Sequence, residues 1–180
     1  MNRRKKNLSI LGSTGSVGAQ TLEVVRSYPE DFDVVCLGAN KNTQVLEEQI
    51  LEFQPQAISC DYYKELNTNG EITEKVMSLS DIATHERVDT VVVATSGNIA
   101  LIPTFEAIKK GNNIVIANKE TIIMAGEQLI SLAESNSVHL MPIDSEPSAI
   151  WQCLRGEDSN VSKLIITASG GPFRNTPLRS

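Results

Sequence analysis

No two of the three cysteines in this 180-residue chain, Cys36, Cys60 and Cys153, form a CxxC pair, and neither histidine lies at zinc-finger spacing from them. That argues against a structural zinc site or a disulfide framework. The cysteines read as small buried hydrophobes in a reducing compartment, and a cytoplasmic location is expected. His85 and His139 are isolated and read as structural or surface residues. Long apolar runs are missing too: none reaches the roughly 18 residues needed to span a bilayer. Arg3-Arg4-Lys5-Lys6 followed by NLSILGS has the outline of a signal peptide, but the apolar run breaks at Ser13 and Thr14. Basic charge is scarce, with 16 Lys and Arg against 22 Asp and Glu, for a net charge of −6. That balance opposes a nucleic-acid face, and the basic tetrapeptide reads as a solvated tag. Neither a nucleic-acid nor a membrane partner is expected.

What is present is alternation. Leu8–Leu11 reads as a buried strand, and the apolar spacing from Val17 to the Tyr28-Pro29 stop reads as a helix. The pattern repeats: strand Phe32–Ala39, helix from Val45 to Phe53 before Pro55, and a short strand at Ala57-Ile58. Residues Asp61 to Glu74 are polar and weakly patterned, consistent with a short helix and loop. Then follow strand Thr90–Ala94, helix Pro103–Lys110 closed at Gly111, strand Asn113–Ala117, helix Ile122–Ala133 and strand Val138–Ile143. A short helix Ser148–Leu154 and a last strand Leu164–Thr167 complete the series. Strands apolar on both faces, alternating with helices, predict an α/β fold: a doubly wound, mostly parallel Rossmann-type sheet with helices on both faces. The alternation loosens near Pro142–Asp144. Residues 1–143 are therefore expected to form the dinucleotide-binding domain, and 144–180 the start of a second, α+β catalytic domain.

Four stretches carry chemistry. The first is Gly12-Ser-Thr-Gly-Ser-Val-Gly18, between a strand and a helix. Glycines there permit a tight turn and let the backbone approach a pyrophosphate, while the helix N-terminus offers unpaired N–H groups. No Gly-Lys-Ser/Thr follows, so it is not a Walker loop. The next strand runs out into Ala39-Asn40-Lys41-Asn42. An NAD site usually has a carboxylate there for the ribose hydroxyl; this chain has Lys41, which suits a 2′-phosphate and favours NADPH over NADH, or is an ordinary exposed loop lysine. The second stretch, Ala117-Asn-Lys-Glu120, lies directly after a strand, where it can meet cofactor and substrate or simply start a helix. The third is Pro142-Ile-Asp-Ser-Glu146. In an extended segment Asp144 and Glu146 point the same way and can share Mg2+ or Mn2+; they would equally serve as a capping pair. The fourth, Thr167-Ala-Ser-Gly-Gly-Pro-Phe173, offers a platform for phosphate or a sugar hydroxyl, or is a plain turn.

Taken together, GSTGSVGAQTL, ANKE, the DSE–SAIWQC stretch and SGGPFRNTPLR resemble, in order and spacing, the 1-deoxy-D-xylulose 5-phosphate reductoisomerase family, from about Asn7 to the last residue. The resemblance implies that Thr14, Gly15, Ser16 and Val17 contact NADPH phosphates, and that Lys41 and Asn42 hold its 2′-phosphate end. It places Asn118 and Glu120 beside the cofactor and Lys119 beside the substrate. It makes Asp144 and Glu146 ligands of Mg2+ or Mn2+, with Co2+ a further candidate, and Ser145 and Ser169 substrate contacts. Lys119, Asp144 and Glu146 are thereby the implied catalytic residues. The implied reaction rearranges a small phosphorylated sugar, deoxyxylulose phosphate, to a branched aldehyde and reduces that with NADPH to 2-C-methyl-D-erythritol 4-phosphate, on the non-mevalonate isoprenoid route. The resemblance further implies a homodimer for the full-length enzyme.

Two positions depart from the family pattern: Asn40 stands where glycine is usual, and Pro147 where histidine is usual. Family members are also more than twice this length, so an N-terminal fragment, inactive alone, is expected. The alternative is a stand-alone NADPH-binding module without catalysis. A semialdehyde dehydrogenase would need a nucleophilic cysteine in a strand-end loop, and Cys153 lies within a helical pattern instead.

Overall fold

The computed structural model of the chain describes residues 4–66, 75–156 and 161–165. Strand Lys6–Leu11 (β1) runs through the glycine turn into helix Ser16–Ser27 (α1), then Phe32–Gly38 (β2), Thr43–Phe53 (α2) and Ala57–Ser59 (β3). After a 3-10 turn at Tyr63–Glu65 come Leu79–Ala83 (α3), Thr90–Val93 (β4), Leu101–Lys110 (α4), Asn113–Ile116 (β5), Lys119–Ser135 (α5), Leu140–Pro142 (β6) and Ser145–Leu154 (α6). The six strands form one parallel sheet in the order β3-β2-β1-β4-β5-β6. That is the doubly wound Rossmann order, which reverses direction between β1 and β4.

Alternate residues of the central strands feed two cores. Ile10, Leu37 and Val92 pack on one face with Leu22 and Val25 of α1 and Leu46 and Ile50 of α2. Leu11, Val35, Val91 and Val93 pack on the other with Ile82 of α3, Ala107 and Ile108 of α4, and Leu129 and Ala133 of α5. Strands covered on both faces need apolar residues on both, which is why the runs TVVV and NIVI show no polar alternation.

Helix α4 stops at Gly111 in the left-handed region (φ 91°), as glycine permits. Three helix starts differ from the periodicity reading. Helix α4 begins two residues before Pro103, and α6 begins at Ser145, three residues earlier than expected, with Pro147 inside its first turn. Proline costs nothing there, because first-turn N–H groups have no intrahelical partner. Helix α5 begins at Lys119 rather than Ile122 because Asn118 caps it. Helix α3 was not legible in the hydrophobic pattern: it is five residues long and is set by a capping box between Ser78 and Asp81. Of the expected strand Leu164–Thr167, Leu164 and Ile165 carry no strand pairing; Ile166 and Thr167 lie outside the described residues. Among the described residues no helix is long and apolar enough to cross a membrane.

Candidate functional site

Because every strand is parallel, all six C-terminal ends open on one edge of the sheet, and the chain places its polar loops there. A cleft of about 550 Å3 crosses the ends of β3, β2, β1 and β4. Its floor is the glycine turn. Gly12 leaves β1 at φ +91°, and a Cβ there would lie 2.7 Å from the Ala94 carbonyl oxygen. The Gly12 and Ser13 N–H groups both donate to the Gly38 carbonyl at 2.8 Å, tying the turn to β2. A Cβ on Gly18 would sit 2.6 Å from Ser13 Cα, so this glycine lets α1 press against the turn. Gly15 differs: its nearest neighbour to an added Cβ is 3.4 Å away, its φ is −80°, and no side chain caps the helix it starts. The first-turn donors of α1 are left for a ligand, and only a missing Cβ lets a phosphate approach that closely. The donor set fits a pyrophosphate. From α2, buried Gln49 donates to the Ser13 carbonyl at 3.1 Å and holds the turn from below.

Thr14, Gly15, Lys41 and Asn42 line the cleft. Ser16 and Val17 lie in the first turn of α1 and do not line it. Asn42 also caps α2, its Oδ1 accepting from Val45 N–H at 3.3 Å, which presents Lys41 at the cleft mouth. Asn40 is not in the left-handed region, so its replacement of the family's glycine brings no backbone strain. The opposite wall was not anticipated: Ser59 at the end of β3 with Cys60 and Asp61 after it, Met77 to Leu79 before and at the start of α3, and Thr95, Ser96 and Ile99 after β4. The signal that could have found them was position, since each follows a buried strand or opens a capping box. Burial pushes the Cys60 thiol up, and its Sγ donates to the Asn40 carbonyl at 3.2 Å. Burial pushes Cys36 up to about 12.

Asn118 is almost fully buried. Its Oδ1 accepts from Thr121 N–H at 2.7 Å, while its Nδ2 donates to the carbonyls of Thr95 at 2.8 Å and Gly97 at 2.9 Å. Glu120 accepts from the Gly97 N–H at 3.2 Å. Both residues therefore clamp the 95–97 loop, whose Thr95 and Ser96 form the cleft wall, and neither lines the cleft itself.

The carboxylates meet on the β5–β6 side. Asp144 is the N-cap residue of α6 and Glu146 lies in the first turn, so they are not two residues of one extended segment as the spacing suggested. They converge nonetheless. Lys119 Nζ lies 2.9 Å from Asp144 Oδ2 and 3.9 Å from Glu146 Oε2. The Asp144 side chain makes no capping bond, which leaves the capping reading without support. Asp144 foremost, then Glu146 and the more distant Glu120, raise the Lys119 ammonium above the ordinary lysine range. An ammonium between two carboxylate oxygens is a stand-in cation, so this donor set fits a hard divalent ion. Among the described residues no three His, Cys, Asp or Glu side chains converge as a metal site. Ser145 is exposed at the start of α6. Ser169 and the SGGP platform lie outside the described residues.

Comparison with known proteins fits this geometry. The family model described as 1-deoxy-D-xylulose 5-phosphate reductoisomerase matches residues 8–126, and that of the C-terminal domain of the same enzyme matches residues 140–180. A 1-deoxy-D-xylulose 5-phosphate reductoisomerase of Pelodictyon phaeoclathratiforme is 46% identical over 180 residues, covering 95% of this chain and 47% of the relative. The structure of the Zymomonas mobilis enzyme in complex with NADPH superposes with a TM-score of 0.84 at 30% identity, over 97% of this chain and 48% of that one. A DOX-P reductoisomerase structure in complex with NADPH, fosmidomycin and magnesium gives 0.78 at 36% identity, over 84% and 39%. The chain thus spans about half the length of the curated relatives it matches. With the sheet order, the glycine turn and the family match over most of its length, this chain belongs to the 1-deoxy-D-xylulose 5-phosphate reductoisomerase family.

Proposed function

We propose that this chain forms the NADPH-binding part and the first half of the metal site of a reductoisomerase that converts 1-deoxy-D-xylulose 5-phosphate to 2-C-methyl-D-erythritol 4-phosphate. The observation that carries the reading is adjacency: a phosphate-accepting cleft and a cation-holding carboxylate pair share one edge of the sheet, joined by the Asn118–Glu120 clamp. We infer a domain boundary at 143/144, between Pro142, the last residue of β6, and Ser145, the first of α6. The match of residues 140–180 to the C-terminal domain model supports it.

The bound groups would supply hydride from NADPH and Lewis acidity from Mg2+, Mn2+ or Co2+. The protein's own residues bind and orient. Gly15 and the α1 N-terminus receive the pyrophosphate, with Thr14 beside them, and Ser16 and Val17 contribute their first-turn N–H groups. Lys41 and Asn42 hold the 2′-phosphate. Asn118 and Glu120 set the position of the 95–97 wall. Asp144 and Glu146 hold the cation, and Lys119 and Ser145, with Ser169, face the substrate. As in the relatives crystallised with NADPH and magnesium, nucleotide and cation would be bound together. The family resemblance adds a homodimer, and the cysteine usage a cytoplasmic setting.

This chain alone is expected to bind NADPH weakly and to turn over nothing, since two carboxylates leave a metal site incomplete. Steady NADPH oxidation by the isolated chain, with substrate and Mn2+, would overturn that. A stand-alone NADPH-binding module is the second reading, favoured by the absence of a three-residue ligand set among the described residues. It predicts nucleotide binding that is indifferent to Mn2+.

A further inference from the structure

We propose that Lys119 is a built-in counter-ion for Asp144 and Glu146, holding the two carboxylates converged and being driven off them when a divalent cation enters. The inference rests on the metal-ligand reading above. Two carboxylates brought together repel, and something must compensate them before a cation arrives. Lys119 does so, with its ammonium 2.9 Å from Asp144 and 3.9 Å from Glu146.

The arrangement is asymmetric in a way that favours exchange. The Asp144 side chain is 23% exposed, and that of Lys119 is 60% exposed. Asp144 is the sheltered partner, and Lys119 the exposed one that can swing. The backbone of Lys119 cannot follow, because it is the first residue of α5 and Asn118 pins that helix start to the 95–97 loop. Displacement is therefore a side-chain rotation.

A hard cation sits about 2.0–2.6 Å from its carboxylate oxygens. One bridging these two oxygens would claim the space of the ammonium and repel it. The exchange costs little on the lysine's side, because its well-exposed ammonium regains water as it leaves. It is also favoured by charge: one ammonium between two carboxylates leaves the group negative. The ammonium released would then stand beside whatever oxygen the cation binds, which couples cation entry to the availability of a positive group for an anionic or hydroxylated substrate.

The test is Mn2+ uptake, read as loss of the free-ion electron paramagnetic resonance signal, with the fold of each variant checked by circular dichroism. Lys119→Met is expected to bind Mn2+ about threefold to fivefold more tightly than the native chain, the strength of one exposed ion pair. Lys119→Arg, which keeps the charge, should bind as the native chain does. Unchanged or weaker binding by Lys119→Met would overturn the counter-ion role. Asp144→Asn combined with Glu146→Gln should abolish uptake. If the native chain takes up no Mn2+, or if that double variant binds as the native chain does, the ligand reading itself fails and the inference falls with it.

Discussion

The two halves of this sheet edge are built from different materials. On the β1–β3 side the site is backbone: glycine positions, helix N–H groups and carbonyls locked to neighbouring strands. On the β5–β6 side it is side chain: two carboxylates and one lysine, the lysine exposed enough to move. Backbone sites are rigid because strand packing holds them, so a change at a packed position such as Gly18 damages the fold, while one at an open position such as Gly15 touches binding alone. Side-chain sites can exchange partners at small cost. A cofactor bound in one fixed pose suits the first, and a cation that must enter suits the second.

The sharpest way to break this comparison is within the glycine turn. Gly18→Ala should cost about 3 kcal/mol, as overpacking does, because its Cβ would overlap the turn beneath. Thermal unfolding should show a large loss. Gly15→Ala should leave the melting temperature unchanged or slightly raised, since φ is −80° and the nearest atom is 3.4 Å away. It should nonetheless weaken NADPH binding about tenfold, the worth of a lost charge-assisted bond. Equal effects of the two changes on stability would show that the turn is uniformly structural.

Asn118→Ala comes next, at about 2 kcal/mol, because a helix cap and two buried carbonyl partners are lost together. It should also lower affinity in the cleft, through the loosened 95–97 wall. A stability loss with unchanged NADPH affinity would separate the two regions that the clamp is held to join.

The smallest effect lies in the salt link between α1 and α2, where Arg26 meets Glu52 in two bonds of 2.6 Å. The guanidinium holds the Glu52 carboxyl below the ordinary carboxylate range. The link therefore contributes above that range and is lost as pH falls through it. Both groups are nearly half exposed, so only a few tenths of a kcal/mol are expected. Unfolding midpoints of native and Glu52→Gln chains should differ slightly at pH 7 and converge in acid.

The sequence made the backbone half more legible than the side-chain half. Glycine spacing between a strand and a helix reports a turn directly, and apolar runs such as TVVV report buried strands. Asp144 and Glu146 were named for a shared cation, yet the reason was wrong: they converge through a helix start, because Pro147 fits the first turn of α6. Lys119 was named for substrate, but its bond to Asp144 joins residues 25 positions apart and no spacing rule reports that. Asn118 and Glu120 are expected beside the cofactor, and no spacing rule reports the hydrogen bonds they also make to the loop that forms the cleft wall. Helix α3 and the wall from Ser59 to Asp61 escaped because short segments carry too few residues for a period to show.

The central claim is that the cleft takes a 2′-phosphorylated dinucleotide, and it is tested most directly by titrating this chain with NADPH and NADH side by side, native and Lys41→Ala. The native chain should prefer NADPH by about tenfold, and Lys41→Ala should bind the two alike, because one lysine–phosphate contact carries the difference. Equal affinities in the native chain, or a preference that survives Lys41→Ala, would contradict it.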